Sequence, residues 1–128
     1  MPSPKRKFGD IGEKIAEKYL TDKGYRILDK NYLKPYGEID IVGKKDGSIT
    51  FFEVKTSDIW QTRDYLPEQR VNHKKSRKLR KICEVYLLEK KYPIDQEWQI
   101  DILSVILNPM SNKSEINHFE NAIWEKRY

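Results

Sequence analysis

At 128 residues with a single cysteine, Cys83, the chain is long enough to bury one core and has no partner for an intrachain bridge, which excludes a disulfide-stapled scaffold. The 25 Lys and Arg outnumber the 20 Asp and Glu for a net charge of +5, and the pI near 9.2 favours a polyanion such as nucleic acid as partner. Neither a hydrophobic leader nor a long apolar run is present, so the expectation is one cytoplasmic domain over residues 1–128 with no membrane association.

From Phe8 to Lys23 the apolar residues Ile11, Ile15, Ala16, Tyr19 and Leu20 recur at helical spacing, and Lys23-Gly24 supplies a terminator. Tyr25–Leu33 reads as a first strand, Pro35 and Gly37 punctuate, and Glu38–Val42 alternates with period two as a second. Asp46-Gly47 signals a tight turn into a third strand, Ile49–Thr56. Residues 59–70, containing Pro67, have no clean period and read as a loop. From Asn72 to Lys90 the residues Leu79, Ile82, Cys83, Tyr86 and Leu87 mark a second amphipathic helix, ended by Pro93. Trp98–Leu107 is a strongly apolar fourth strand, and residues 116–124 suggest a short fifth at the sheet edge. Helices this short must lay their apolar stripes on something, so the order predicts an α/β sandwich around a mixed sheet.

The hairpin GEIDIVGKKDGSITFFEVKT, residues 37–56, raises the chemical question, because two otherwise apolar strands carry Glu38, Asp40, Glu53 and Lys55. Charged groups seldom enter a sheet unless they are paired or hold a metal, since stripping their water costs several kcal/mol or more per ion. With Asp46-Gly47 as a two-residue turn, Lys45 faces Ser48, Val42 faces Phe51, Asp40 faces Glu53 and Glu38 faces Lys55. An odd loop or a bulge would shift this register by one. In this register the four charged groups share one face, while Ile39, Ile41, Phe52 and Val54 point into a core on the other. Asp40 opposite Glu53 is unfavourable without a cation between them, and a hard divalent ion suits two carboxylates plus waters. Lys55 on the same face would then stabilise negative charge on a bound phosphate. The alternative is a Glu38–Lys55 cross-strand salt bridge on a solvated face.

An Asp, a spacer of twelve residues, and Glu-Val-Lys on the next strand resemble the PD-(D/E)XK nuclease superfamily, whose restriction-endonuclease-like core is an αβββαβ sandwich. The whole chain is more closely similar to the YraN family of small predicted endonucleases, related in fold to archaeal Holliday-junction resolvases. The matching pieces are Gly9, Gly12, Glu13, Ala16, Tyr19 and Leu20 in the first helix, Gly24-Tyr25, Asn31, GEIDIV, FFEVKT, Val71, Lys75 and Leu79, Ile100-Asp101-Ile102, and Asn121-Ala122. Where the superfamily's naming Pro stands this chain has Ile39, and the Arg that often follows Lys-Thr is Ser57.

The resemblance implies a Mg²⁺- or Mn²⁺-dependent endodeoxyribonuclease acting on duplex or branched DNA. Asp40 and Glu53 would be metal ligands with the Val54 carbonyl as a third, and Lys55 would be the catalytic lysine. A nucleic-acid-binding module of the same fold with little catalysis is the rival class. Glu13 lies at the rim of the first helix's apolar stripe and is the candidate additional acid; its other reading is a first-turn acid matched to the helix dipole. Lys75 shares the inward-leaning stripe of Leu79 and Ile82 and can approach the site or a phosphate, while Lys74, Arg77 and Lys78 belong to a basic face that attracts DNA. His73 and His118 show no neighbours of a zinc site and read as surface or edge residues, and Cys83 falls in the helical core pattern. Trp60 and Tyr65 suit either base stacking or packing over the sheet. Cutting of junctions would call for a homodimer with two opposed sites.

Overall fold

A computed structural model describes residues 4–60 and 73–123 of the chain, with side chains described from Lys7 and, in the second segment, from Lys75 onward. The loop expected over 59–70, including Tyr65, lies outside these residues beyond Trp60, as do the side chains of His73 and Lys74, whereas the edge strand expected over 116–124 runs from Ser114 and ends at Phe119, with Asn121 at φ 48 beyond it. The elements are α1 (Pro4–Asp22), β1 (Arg26–Lys34), β2 (Gly37–Lys45), β3 (Ser48–Asp58), α2 (His73–Glu89), β4 (Trp98–Leu107) and β5 (Ser114–Phe119). They form the expected α/β sandwich. One five-stranded sheet in the order β1-β2-β3-β4-β5 is antiparallel except for the parallel β3–β4 pair. Parallel neighbours require a crossover, and α2 lies in that connection.

Local chemistry sets the boundaries. Gly24 at φ +97 closes α1 through Gly24 N–H donating to Thr21 O and Tyr25 N–H to Leu20 O, the paired bonds of a Schellman ending. The same pattern ends α2, with Lys91 at φ 60 in the glycine position, Lys91 N–H on Leu88 O and Tyr92 N–H on Leu87 O. Asp46 at φ 52 and Gly47 at φ 80 make the two-residue turn whose twist matches a hairpin.

Each face of the sheet has its own core. Ala16 and Leu20 of α1 pack on Ile41, Phe52, Leu103 and Val105, with Val54 partly buried against them. Ile82, Cys83 and Tyr86 of α2 pack on Val42, Ile49, Phe51, Ile100 and Ile102. Cys83 is fully buried, and burial pushes its thiol up, as suits an unreactive core residue. Among the described residues, no helix is long and apolar enough to cross a membrane.

Two expectations about the hairpin need correction. The ladder has the anticipated register from Lys45↔Ser48 to Ile41↔Phe52 but stops there, so Asp40 and Glu53 are not a ladder pair. Ile39 does not join Ile41 and Phe52; it belongs to the α2-side core. The neighbouring edge strand β1 is itself irregular, shifting register between Ile27 and Asp29, and Asn31, between the pairs Lys30↔Ile41 and Tyr32↔Ile39, adopts φ 52. Strict alternation fails where a bulge or a left-handed residue interrupts the pleat, and residues 37–40 follow β1 after β3 has let go.

Candidate functional site

The release of β2 from β3 after Ile41 frees the Asp40 side chain to do what a backbone carbonyl would otherwise do. Its Oδ2 accepts the Val54 N–H at 2.8 Å. The carboxyl is nonetheless pushed up to about 8, by burial first, then by a hydrogen bond with Glu38 and by the negative charges of Glu13 and Glu38; the Val54 amide opposes the shift. Three acids from two elements, α1 and β2, therefore influence one another here. Glu13 reaches the group because α1 lies directly on β3: a Cβ added at Gly12 would fall 1.8 Å from the Thr56 hydroxyl. Only glycine permits that approach.

Glu53, on β3, has the opposite balance. Its Oε1 is 2.6 Å from Lys55 Nζ and 3.2 Å from Lys75 Nζ, the latter arriving from the first turn of α2. Burial would raise this carboxyl, but the two ammonium groups outweigh it and hold the pKa below the usual carboxylate range. Burial likewise opposes the charge on Lys55, and Glu53 and Asp40 reverse the effect and raise its pKa. The anticipated Glu38–Lys55 alternative is replaced: Glu38 bonds Asp40, and Lys55 bonds Glu53. Glu53 Oε2 is buried without a hydrogen-bond partner.

Asp40 and Glu53, with Glu38, line one side of a cavity of about 300 Å³ between the sheet and α2. Lys75 and Lys78 line it from α2, whereas Arg77 is exposed on the helix outside the lining. Trp60 is largely exposed, its N–H on Asp58 Oδ1. The structure thus brings Asp40, Glu53, Lys55 and Lys75 together with Glu13 nearby. The donor set suits a hard divalent cation: an acceptor oxygen lies buried and orphaned on Glu53, and burial, with Glu38 and Glu13 adding to it, drives Asp40 toward its neutral form.

A second cluster was not anticipated. Asp101, His118 and Glu120 bring one ligand atom each within 4.8 Å of one another and can hold a metal ion, the trio among the described residues that does so. Glu13, Asp40 and Glu53 do not meet that spacing. His118 is therefore no ordinary edge residue. β4–β5 pairing sets Leu103 against His118, and its Nε2 lies 2.7 Å from Asp101 Oδ2 while Nδ1 lies 3.0 Å from the Tyr19 hydroxyl. Asp101 Oδ1 also accepts the Gln99 amide and the Asn121 N–H, each at 2.8 Å. A neutral ring with its proton on Nε2 satisfies both neighbours, accepting from Tyr19 and donating to Asp101. The signal in the sequence was the acid inside WQIDILSVIL, the same oddity that marks the hairpin.

Comparison with known proteins places these residues in a family. The model of the uncharacterised protein family UPF0102 matches residues 12–105, a span that holds Glu13, the hairpin acids, Lys55, Lys75 and Asp101 and ends before β5. A UPF0102 protein of Alkaliphilus oremlandii is 42% identical over 121 residues, covering 91% of this chain and 97% of the relative. One of Fervidobacterium nodosum is 40% identical over 124 residues, covering 94% and 84%. One of Campylobacter fetus is 42% identical over 101 residues, covering 79% and 85%. With a match over most of its length and relatives aligned nearly end to end, the chain belongs to the UPF0102 family.

Proposed function

We propose that the protein is a metal-dependent nuclease that hydrolyses DNA phosphodiester bonds in the cytoplasm, with branched or junction DNA within its substrate range. The observation that carries this reading is the convergence of Asp40, Glu53 and Lys75 on one cavity, with Lys55 paired to Glu53 and Glu53 Oε2 buried and unbonded. Mg²⁺ or Mn²⁺ would be held by Asp40 and Glu53, with the Val54 carbonyl as a third ligand and Glu13 as the additional acid. Such an ion, when bound, supplies Lewis-acid polarisation of the phosphate and a more acidic water. Lys55, kept protonated by Glu53, neutralises charge that develops on the phosphate oxygens. Lys75 and Lys78 place positive charge at the cavity wall, and Lys74 and Arg77 extend the same helix as a sequence-independent, salt-sensitive DNA face. Resemblance to PD-(D/E)XK nucleases in the D-x(12)-E-x-K spacing supports the same assignment. Junction cutting would add a homodimer, so that two sites address opposed strands.

One observation favours the rival reading, a DNA-binding module without hydrolysis: Glu53 Oε1 already has two lysine partners, so this oxygen has cations without a metal. The test is cleavage of labelled linear, single-stranded, flapped and four-way-junction DNA with Mg²⁺, Mn²⁺ or EDTA, for the wild type, Lys55→Ala and Asp40→Asn. Metal-dependent cutting that both substitutions abolish is expected. Binding without cutting under either metal would leave the binding module.

A further inference from the structure

The cavity beside the carboxylates has a second wall that the hydrolytic reading leaves unused. Tyr36, Gly37, Leu79 and Ile82 line it, joining the β1–β2 turn to α2. Tyr36 remains 40% exposed, and Lys81 Nζ stands 5.7 Å from its ring centroid, a cation–π contact that ties the ring to α2. The space, about 300 Å³, is at the lower end for a small-ligand pocket and too small for a base pair in its stack. It combines this aromatic and aliphatic wall with ammonium groups at Lys75 and Lys78 on the α2 side and the carboxyls of Glu38, Asp40 and Glu53 on the sheet side. That is the complement of one nucleotide: a flat apolar base joined to a phosphate.

We infer that this cavity receives a single unpaired nucleobase, extruded from a duplex or already single-stranded, whose phosphate lies toward Lys75 and Lys78. The inference rests on the nucleic-acid reading above and narrows its substrate to DNA carrying an unpaired nucleotide. An enzyme that takes a base out of the stack gains selectivity because an unpaired base costs least to extrude. Stacking on an aromatic ring does not depend on base identity, so the preference is for structure over sequence.

Gly37 offers a way to fill the pocket without touching the carboxylates. A Cβ there would have Ile82 Cδ1 as its nearest neighbour at 3.9 Å, an ordinary contact. The experiment is fluorescence anisotropy in EDTA, so that no cleavage intervenes, with four labelled probes: matched duplex, duplex with a one-nucleotide bulge, the same bulge bearing an abasic site, and a short single strand. Wild type should bind the base-containing bulge roughly 5- to 150-fold more tightly than the matched duplex, the range of one base–aromatic stack. The abasic bulge should lose that preference. Tyr36→Ala and Gly37→Val should bring the bulge-to-duplex ratio to about one, and Tyr36→Phe should keep it. Equal binding of bulged and matched duplex, or of abasic and base-containing bulge, overturns the base pocket and leaves the nuclease reading standing. Failure of the wild type to bind any of the probes overturns the base pocket, and the cleavage test above decides the nuclease reading on its own.

Discussion

The two faces of the sheet both bury acidic side chains, and they provision them differently. On the α1 face Asp101 receives three donors, from Gln99, Asn121 and His118, and His118 is held in turn by Tyr19. On the α2 face Asp40 receives the Val54 amide and lies beside Glu38, with the charge of Glu13 acting on it from α1, while Glu53 keeps a buried oxygen unbonded. An acid whose lone pairs are filled by fixed donors stabilises a fold; acids that crowd one another in a buried site raise one another's pKa. Burial alone therefore does not identify a site. The supply of donors and compensating charge does.

The comparison breaks most visibly at Asp101. Asp101→Ala would strand three donors, in part within the core, and should cost about 3–5 kcal/mol in urea unfolding while leaving cleavage per folded molecule intact. Asp40→Asn should do the reverse, cutting hydrolysis roughly 10²- to 10³-fold, with no loss of melting temperature in EDTA because a carboxyl already driven toward neutrality is replaced by an amide. If Asp40→Asn unfolds the protein and Asp101→Ala only silences it, the roles of the two faces are exchanged.

Metal titration sharpens the same contrast. Mn²⁺ at about 100 times its dissociation constant should stabilise the wild type by about 2.7 kcal/mol. That gain should vanish in Asp40→Asn and persist in His118→Ala. The opposite pattern would put the ion at Asp101, His118 and Glu120, whose ligand atoms lie within 4.8 Å.

A smaller effect follows from pH. Between the ordinary value of 3.8 and about 8 the folded chain holds a proton on Asp40 that the unfolded chain has released. Native protein binds more protons in that window, so the stability tied to Asp40 is full below pH 3.8, declines as pH rises, and is lost above about 8. The metal-free wild type should show this slope in thermal unfolding across the window, and Asp40→Asn should be flatter; identical slopes would mean that Asp40 is an ordinary carboxylate. Smallest is the effect of Lys78→Ala, which lines the cavity wall from α2. It should weaken DNA binding uniformly across sequences and reduce the salt slope by about one.

Much of the fold was legible because its signals are local. Helical spacing in α1 and α2, Asp46-Gly47 and the apolar run of β4 each depend on residues a few positions apart, and the observed elements follow them. The hairpin register was legible for the same reason, down to Ile41↔Phe52. It failed at Ile39, beyond the last β2–β3 pair, where β2 is paired with β1 alone and Asn31 of β1 adopts φ 52. The proximity of Lys75 to Glu53 follows in part from its place on the apolar stripe of α2. The tie between His118 and Asp101 required β4–β5 pairing across 17 residues and the approach of Tyr19 from α1, 99 residues away.

By itself the sequence determined the element order, the sandwich, the tight turn and the presence of unusual charges on inner strands, since periodicity and turn chemistry act over one or two turns of chain. Only the tertiary structure decided which of those charges is satisfied and which is not. Asp40, Glu53 and Asp101 are alike as acids in apolar strands; what separates them is the number of donors and ammonium groups that distant elements bring within hydrogen-bonding reach. That count belongs to packing, because electrostatic environment is set by neighbours in space, through desolvation and charges a few ångströms away.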